Sequence, residues 1–283
     1  MSSSSPAADL ATELLAEIFI LCLPTNTLRP ATGLLRPHFI VPSAADAPLL
    51  LCAVCRRWRS IATGLATLWT SLNSQDILNP ELVEVWLARA TTHGLSLRIA
   101  TPVDPAGRFM ITIPVHPPAL LSPGQYRFVM HRHLPVLLPL IYRCKHLEIV
   151  DWPLPGVFTR QVPAAPELET LSVAVRCNDT GAAAWVSRLI AQAPNLIHLH
   201  WQGPPTAETW ERLTHVSWDI NENCEHIEQK LAQLAIGCVQ HLRIELYRWD
   251  EDQLFFGSET IIYSLPTVTT FSRQLLTSYP SPI

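Results

Sequence analysis

From Cys144 onward one short pattern recurs, apolar-x-x-apolar-x-apolar, and it narrows the possible folds more than any other feature of the chain. It is met at Cys144, Leu147 and Ile149, at Leu168, Leu171 and Val173, and at Leu196, Leu199 and Trp201. It returns at Leu213, Val216 and Trp218 and at Val239, Leu242 and Ile244, with a weaker sixth copy near Leu265 and Val268. Successive copies begin 24, 28, 17 and 26 residues apart. The last two apolar positions flank one other residue, which is the period of a strand. Helical stretches fall between copies: residues 182–193 with Trp185, Leu189 and Ile190, and residues 224–236 with Ile227, Leu231 and Leu234, closed by Gly237. A strand-plus-helix unit this short cannot bury its own apolar edge, so the copies are expected to stack. The competing arrangement is an ordinary α/β domain of helix-covered strands.

The N-terminal quarter has a different period. Leu14, Leu15, Ile18, Phe19 and Cys22 predict a helix over about residues 9–23, with Asp9 or Thr12 as cap and Pro24 as stop. Residues 24–48 carry five prolines and read as a loop. Over residues 49–62, Leu51, Val54, Cys55, Trp58, Ile61 and Ala62 fall on one stripe of a second helix, with Arg56, Arg57 and Arg59 mostly off it. Leu65, Leu68 and Trp69 predict a short closing helix. Asn79-Pro80 then opens a helix carrying Leu82, Val85, Trp86 and Ala90, and residues 95–99 alternate as a strand. Residues 101–139 hold eight prolines. The expected organisation is a tail over 1–8, a helical domain over 9–72, a linker helix, strand and Pro-rich region over 73–140, and the repeats over 141–283.

The spacing of the repeats resembles a degenerate leucine-rich repeat, whose units run 20–29 residues. The Val54-Cys55 pair, the basic run and Trp58 resemble the second half of an F-box, and Leu10-Ala11-Thr12-Glu13-Leu14-Leu15 is similar to that family's Leu-Pro-x-Glu opening. Ala11 stands where the family has proline, and the 24–48 loop is longer than in most members. The succession of Trp58, Ile61-Ala62, Leu68-Trp69, the Trp86-Leu87-Ala88-Arg89 helix and the strand after it resembles the F-box and leucine-rich proteins of mushroom-forming fungi. So do Lys145-His146-Leu147-Glu148-Ile149 and Pro166-Glu167-Leu168-Glu169-Thr170-Leu171. The resemblance implies an α/β chain, a mostly helical F-box followed by a short horseshoe. It implies a substrate receptor of a Skp–cullin–F-box ubiquitin ligase, itself not an enzyme, joined through a Skp-type adaptor to cullin and RING subunits. Leu10, Leu14, Leu15, Ile18, Phe19, Leu51, Val54, Cys55 and Trp58 are then the candidate adaptor-binding residues. Phe19 and Trp58 are the best anchor types, because aromatic residues dominate interface energetics. Packing inside the domain is the competing role for Trp58. At the level of the whole chain, the alternative is a non-ligase interaction scaffold of the leucine-rich-repeat type.

Composition excludes several classes. A net charge of −4 over 283 residues leaves no basic footprint for nucleic acid. Apolar runs stay shorter than a membrane span. Only 16% of residues are charged, so part of the surface is expected to be covered by a partner. The start, Met1 to Pro6, has four serines and no basic residue, which is not a secretory signal. The seven cysteines are therefore expected as reduced thiols in cytoplasm or nucleus. Only Lys145 and Lys230 are lysines against 18 arginines, which suits either avoidance of self-ubiquitination or plain coding bias. The last repeat has no polar capping unit, so a further C-terminal segment is expected. Gly-x-Gly, H-E-x-x-H and G-x-S-x-G motifs are missing, and no cofactor is expected. The Cys52-x-x-Cys55 pair has no second pair to complete a zinc site and reads as packing.

Within the repeats, His146, His198, His215 and His241 each precede the second apolar position, and Thr170 interrupts the series. Strand alternation puts them on one face, about 5 Å apart in stacked copies. Such a column suits a pH-sensitive or metal-binding ladder, or a packing residue repeated with the unit. The same outward row holds Glu148, Ser172, His200, Ser217, Asp219, Arg243 and Glu245. Together with His198 these are the candidate contacts for an unidentified protein substrate.

Overall fold

The computed structural model describes residues 10–23, 39–74, 80–91, 93–100, 136–150, 161–174, 180–201, 212–220, 241–248 and 257–264. The expected tail, loop residues 24–38, most of the Pro-rich region, the 224–236 helix, Asn79 and the copy near Leu265 lie outside the described residues. The chain divides into two units, Met1–His146 and Leu147–Ile283.

The first unit holds α1 (Thr12–Leu21), α2 (Leu49–Val54) and α3 (Arg56–Gly64), then a short 3-10 helix (Ala66–Trp69) and strand β1 (Ser71–Asn73). Helix α4 (Pro80–Arg89) and strand β2 (Leu95–Ala100) follow, and a second 3-10 helix (Leu138–Arg143) leads into β3 (Cys144–Val150), within which the boundary between the units falls. Two tryptophans organise the core. Trp69 and Trp86 are fully buried and meet edge to face, centroids 4.8 Å apart. Each indole N–H is satisfied, Trp69 by the Ala62 carbonyl at 2.8 Å and Trp86 by the Ser71 carbonyl at 3.1 Å. The Arg89 guanidinium lies 4.3 Å over the Trp69 ring. β1 pairs with β2 in parallel, Leu72 opposite Leu97. On its other side β1 is met by the 39–40 segment, where Asn73 N–H donates to the Ile40 carbonyl at 2.8 Å. A Cβ at Gly94 would sit 2.6 Å from the exposed Lys145 side chain, which would have to move aside.

Residues 49–62 are not the single helix that their stripe predicts. The backbone opens at Cys55 (φ −158°, ψ 171°), separating α2 from α3. Local chemistry lowers the cost of the break, because one orphan group at each new end finds a side-chain partner. The Cys55 thiol accepts the Trp58 N–H at 3.5 Å, capping α3. Arg59 Nε donates to the Cys52 carbonyl in the last turn of α2 at 2.7 Å. Arg57 likewise donates to the Leu10 carbonyl ahead of α1, where Ala11 as N-cap offers no side-chain acceptor. Two of the three arginines thus tie helix ends together. Replacing Arg59 with Ala is expected to cost about 0.5–1.5 kcal/mol, read as a lowered urea midpoint with an unchanged far-UV spectrum.

In α4 the buried face is Val83, Trp86 and Leu87, continued by Ala90 just past its end. Leu82 and Val85, expected on it, are exposed. Val83 and Leu87 take their place, four apart beside Trp86.

The second unit follows the repeat closely. Its strands are β4 (Thr170–Ala174), β5 (His198–Trp201), β6 (His215–Ile220), β7 (His241–Arg248) and β8 (Gly257–Ser264), with α5 (Thr180–Ala191) between β4 and β5. β4 to β7 pair in parallel in chain order. Leu171, Leu199, Val216 and Leu242 are register partners, so the second template position forms one row. Every template position from Leu168 to Val216 is buried. Full burial of such side chains stabilises by about 1.5–3 kcal/mol each. The turns into β4 and β5 are copies too. Ala165-Pro166-Glu167-Leu168 and Ala193-Pro194-Asn195-Leu196 each close with the Leu N–H on the Ala carbonyl at 3.2 Å. α5 supplies Trp185, Val186, Leu189 and Ile190 to the core, and the Arg212 guanidinium binds the Ile190 carbonyl in its last turn. β8 pairs antiparallel with β7, Ile261 opposite Ile244, and falls outside the repeat pattern. Mixed helices and parallel strands make this an α/β chain.

Candidate functional site

Helix α1 is too apolar to be satisfied by one neighbour. Six large apolar residues crowd its ten positions. Leu15 and Phe19 are 1% and 0% exposed and face inward, where the Phe19 ring meets Trp58 of α3 at 5.0 Å between centroids. Leu14, Ile18 and Leu21 stand 55%, 40% and 80% exposed at i, i+4 and i+7, a second apolar stripe on another face. On α2, Leu50 and Val54 are exposed four residues apart while Leu51 is buried.

The nine adaptor candidates therefore separate by position. Leu15, Phe19 and Leu51 are core. Trp58 is half-buried and committed on one side to Phe19. Leu10 is half-buried, and Cys55 is exposed but occupied as a helix cap. Leu14, Ile18 and Val54 are open to a partner. Leu21 and Leu50 join them, although neither was singled out in the sequence. Their signal was available: a short helix with apolar residues at 14, 15, 18, 19, 20 and 21 cannot hide all of them against α3.

Cys52 and Cys55 are free thiols with separate roles. Burial pushes the Cys52 thiol up from its ordinary value, with Arg89 and Arg59 pulling weakly the other way. A thiol held protonated is a poor nucleophile and metal ligand. Among the described residues no group of three or more His, Cys, Asp or Glu is placed to hold a metal ion.

In the second unit the register gathers the outward residues into rungs. Thr170, His198, His215 and His241 are successive partners across four strands. Ser172, His200, Ser217 and Arg243 make the next rung, and Asp219 lies opposite Glu245. Hydroxyls and imidazoles pair along them: Thr170 Oγ1 with His198 Nδ1 at 3.2 Å, and Ser172 Oγ with His200 Nδ1 at 3.0 Å. Thr214 Oγ1 meets His215 Nδ1 at 2.9 Å. The rings of His198 and His215 meet edge to face, 4.5 Å apart. The Ser172–His200 contact lies mid-strand, without the sharp turn that exposes a catalytic serine.

Two of the substrate candidates need correction. Glu148 and Ser217 are only 7% and 6% exposed, so neither offers a surface to a protein partner. Alternation assigns a residue to a face, but not to a depth. Ser172, His198 and His200 are half-buried. Asp219, Arg243 and Glu245 are placed by backbone register alone.

No described helix is long and apolar enough to cross a membrane. No family model, curated protein or solved structure matches this chain.

Proposed function

We propose that the chain is a substrate receptor of a Skp–cullin–F-box ubiquitin ligase, binding the Skp-type adaptor through the α1 face and a protein substrate through the repeat strands. One observation carries the reading: α1 is apolar on two faces, and one of them, Leu14, Ile18 and Leu21, is exposed. Keeping such a stripe in water forgoes roughly 1.5–3 kcal/mol for each large side chain that a partner could bury. The stripe lies within the segment whose residues resemble an F-box, and three short helices with a 3-10 closing turn suit a docking module. Catalysis belongs to the assembled ligase. In this reading the chain works in cytoplasm or nucleus, where the ligase machinery and reduced thiols are found.

Co-expression with a Skp-type adaptor tests it. The adaptor is expected to co-elute with the full chain as one complex on size-exclusion chromatography. A folded chain that elutes alone would favour the scaffold reading.

A further inference from the structure

We infer that His198 and His215, partnered in register across β5 and β6, form a proton-responsive seam that favours strand stacking when both rings are neutral and loosens it when both are charged. The edge-to-face contact of His198 and His215 at 4.5 Å brings their titrating groups close together. A first proton leaves one charge beside a neutral ring. A second puts two like charges side by side, so the pair titrates as a coupled unit. On the other side, the backbone register sets His241 of β7 opposite His215.

Among the described residues, the neighbouring charged and titratable groups are few. On the β4 side the partner is neutral Thr170, with Glu169 just before it as the carboxylate acting on His198. β5 itself adds His200 one rung on. β6 contributes Asp219, two rungs from His215, and β7 contributes Arg243 and Glu245 on the rungs beyond His241. Burial lowers the His198 basicity below the ordinary value of 6.5, with Glu169 opposing. The folded chain then binds fewer protons than the unfolded chain. Stability is therefore full above pH 6.5 and falls as pH drops through 6.5 toward the lowered folded value.

The test uses the full chain. Urea midpoints are measured at neutral and mildly acidic pH for wild type, His198→Gln and His215→Gln, alongside NMR titration of the histidine ring signals. The wild-type midpoint is expected to fall on acidification, and each variant to lose less. The His198 signal in His215→Gln is expected to titrate at higher pH than in wild type. Equal losses in all three proteins, or an unmoved His198 titration, would overturn the seam. Should His215→Gln fail to fold, His215→Phe keeps a ring edge without a titrating group. Failing both, the wild-type titration decides, since two independent one-proton curves at the ordinary histidine value contradict coupling.

Discussion

Replacing Trp69 with Ala is expected to cost the first unit about 3–5 kcal/mol, the range for deleting a buried aromatic side chain. The ring is fully buried, packs edge to face on Trp86, carries Arg89 over its face, and donates to the Ala62 carbonyl. Its loss empties the site where α3, the 3-10 helix and α4 converge and strands a buried carbonyl. Domains are typically stable by only about 5–15 kcal/mol, so much of the margin would go. Trp69→Phe should cost less than Trp69→Ala, because an aromatic contact with Trp86 survives, although the indole N–H and part of the buried ring volume are lost. Leu21→Ser, on the exposed stripe, should stay within about 0.5 kcal/mol of wild type. Urea denaturation of the three variants checks the order. A Trp69→Ala chain as stable as Leu21→Ser would mean that the two tryptophans do not organise this core.

The second large effect separates docking from packing on one helix. Leu14→Asp with Ile18→Asp is expected to leave the fold intact, because both side chains face water. It should weaken adaptor binding by at least ~30-fold, the equivalent of a single hot-spot loss of about 2 kcal/mol. Phe19→Ala should do the reverse and destabilise the unit by about 3–5 kcal/mol, since Phe19 is fully buried against Trp58. Paired measurements of thermal stability and adaptor affinity check both arms. If Leu14→Asp with Ile18→Asp unfolds the chain, the exposed stripe is in fact packed. If affinity is unchanged, the partner docks elsewhere.

What could be read in the sequence was the part repeated within it. Leu168, Leu171 and Val173 and their counterparts are core because each copy offers the same apolar edge, and in-register parallel pairing follows from stacking like on like. The histidine rung was legible for the same reason, since one residue at a fixed offset in every copy must share a row. Single events were not legible. The break at Cys55 depends on a thiol accepting the Trp58 N–H and on Arg59 reaching back to the Cys52 carbonyl, neither of which leaves a mark in hydrophobic periodicity. β8 escaped because Ile261, Ile262 and Tyr263 form a run without the template spacing, and β1 because three residues carry no period. On α1 the type of element was clear, but its two apolar faces were read as one. The division between Phe19 inside and Leu14 outside is set by where α3 lies. Depth was the other missing quantity: alternation predicts an outward face for Glu148 and Ser217, yet both are closed off from solvent.

The most direct test is calorimetric titration of the purified full chain with a purified Skp-type adaptor at several temperatures, beside the Leu14→Asp, Ile18→Asp variant. A docking α1 predicts saturable one-to-one binding with a negative heat-capacity change, the mark of buried apolar surface, abolished or at least ~30-fold weaker in the variant. A folded wild-type chain that gives no binding, or a variant that binds as tightly as wild type, would contradict it.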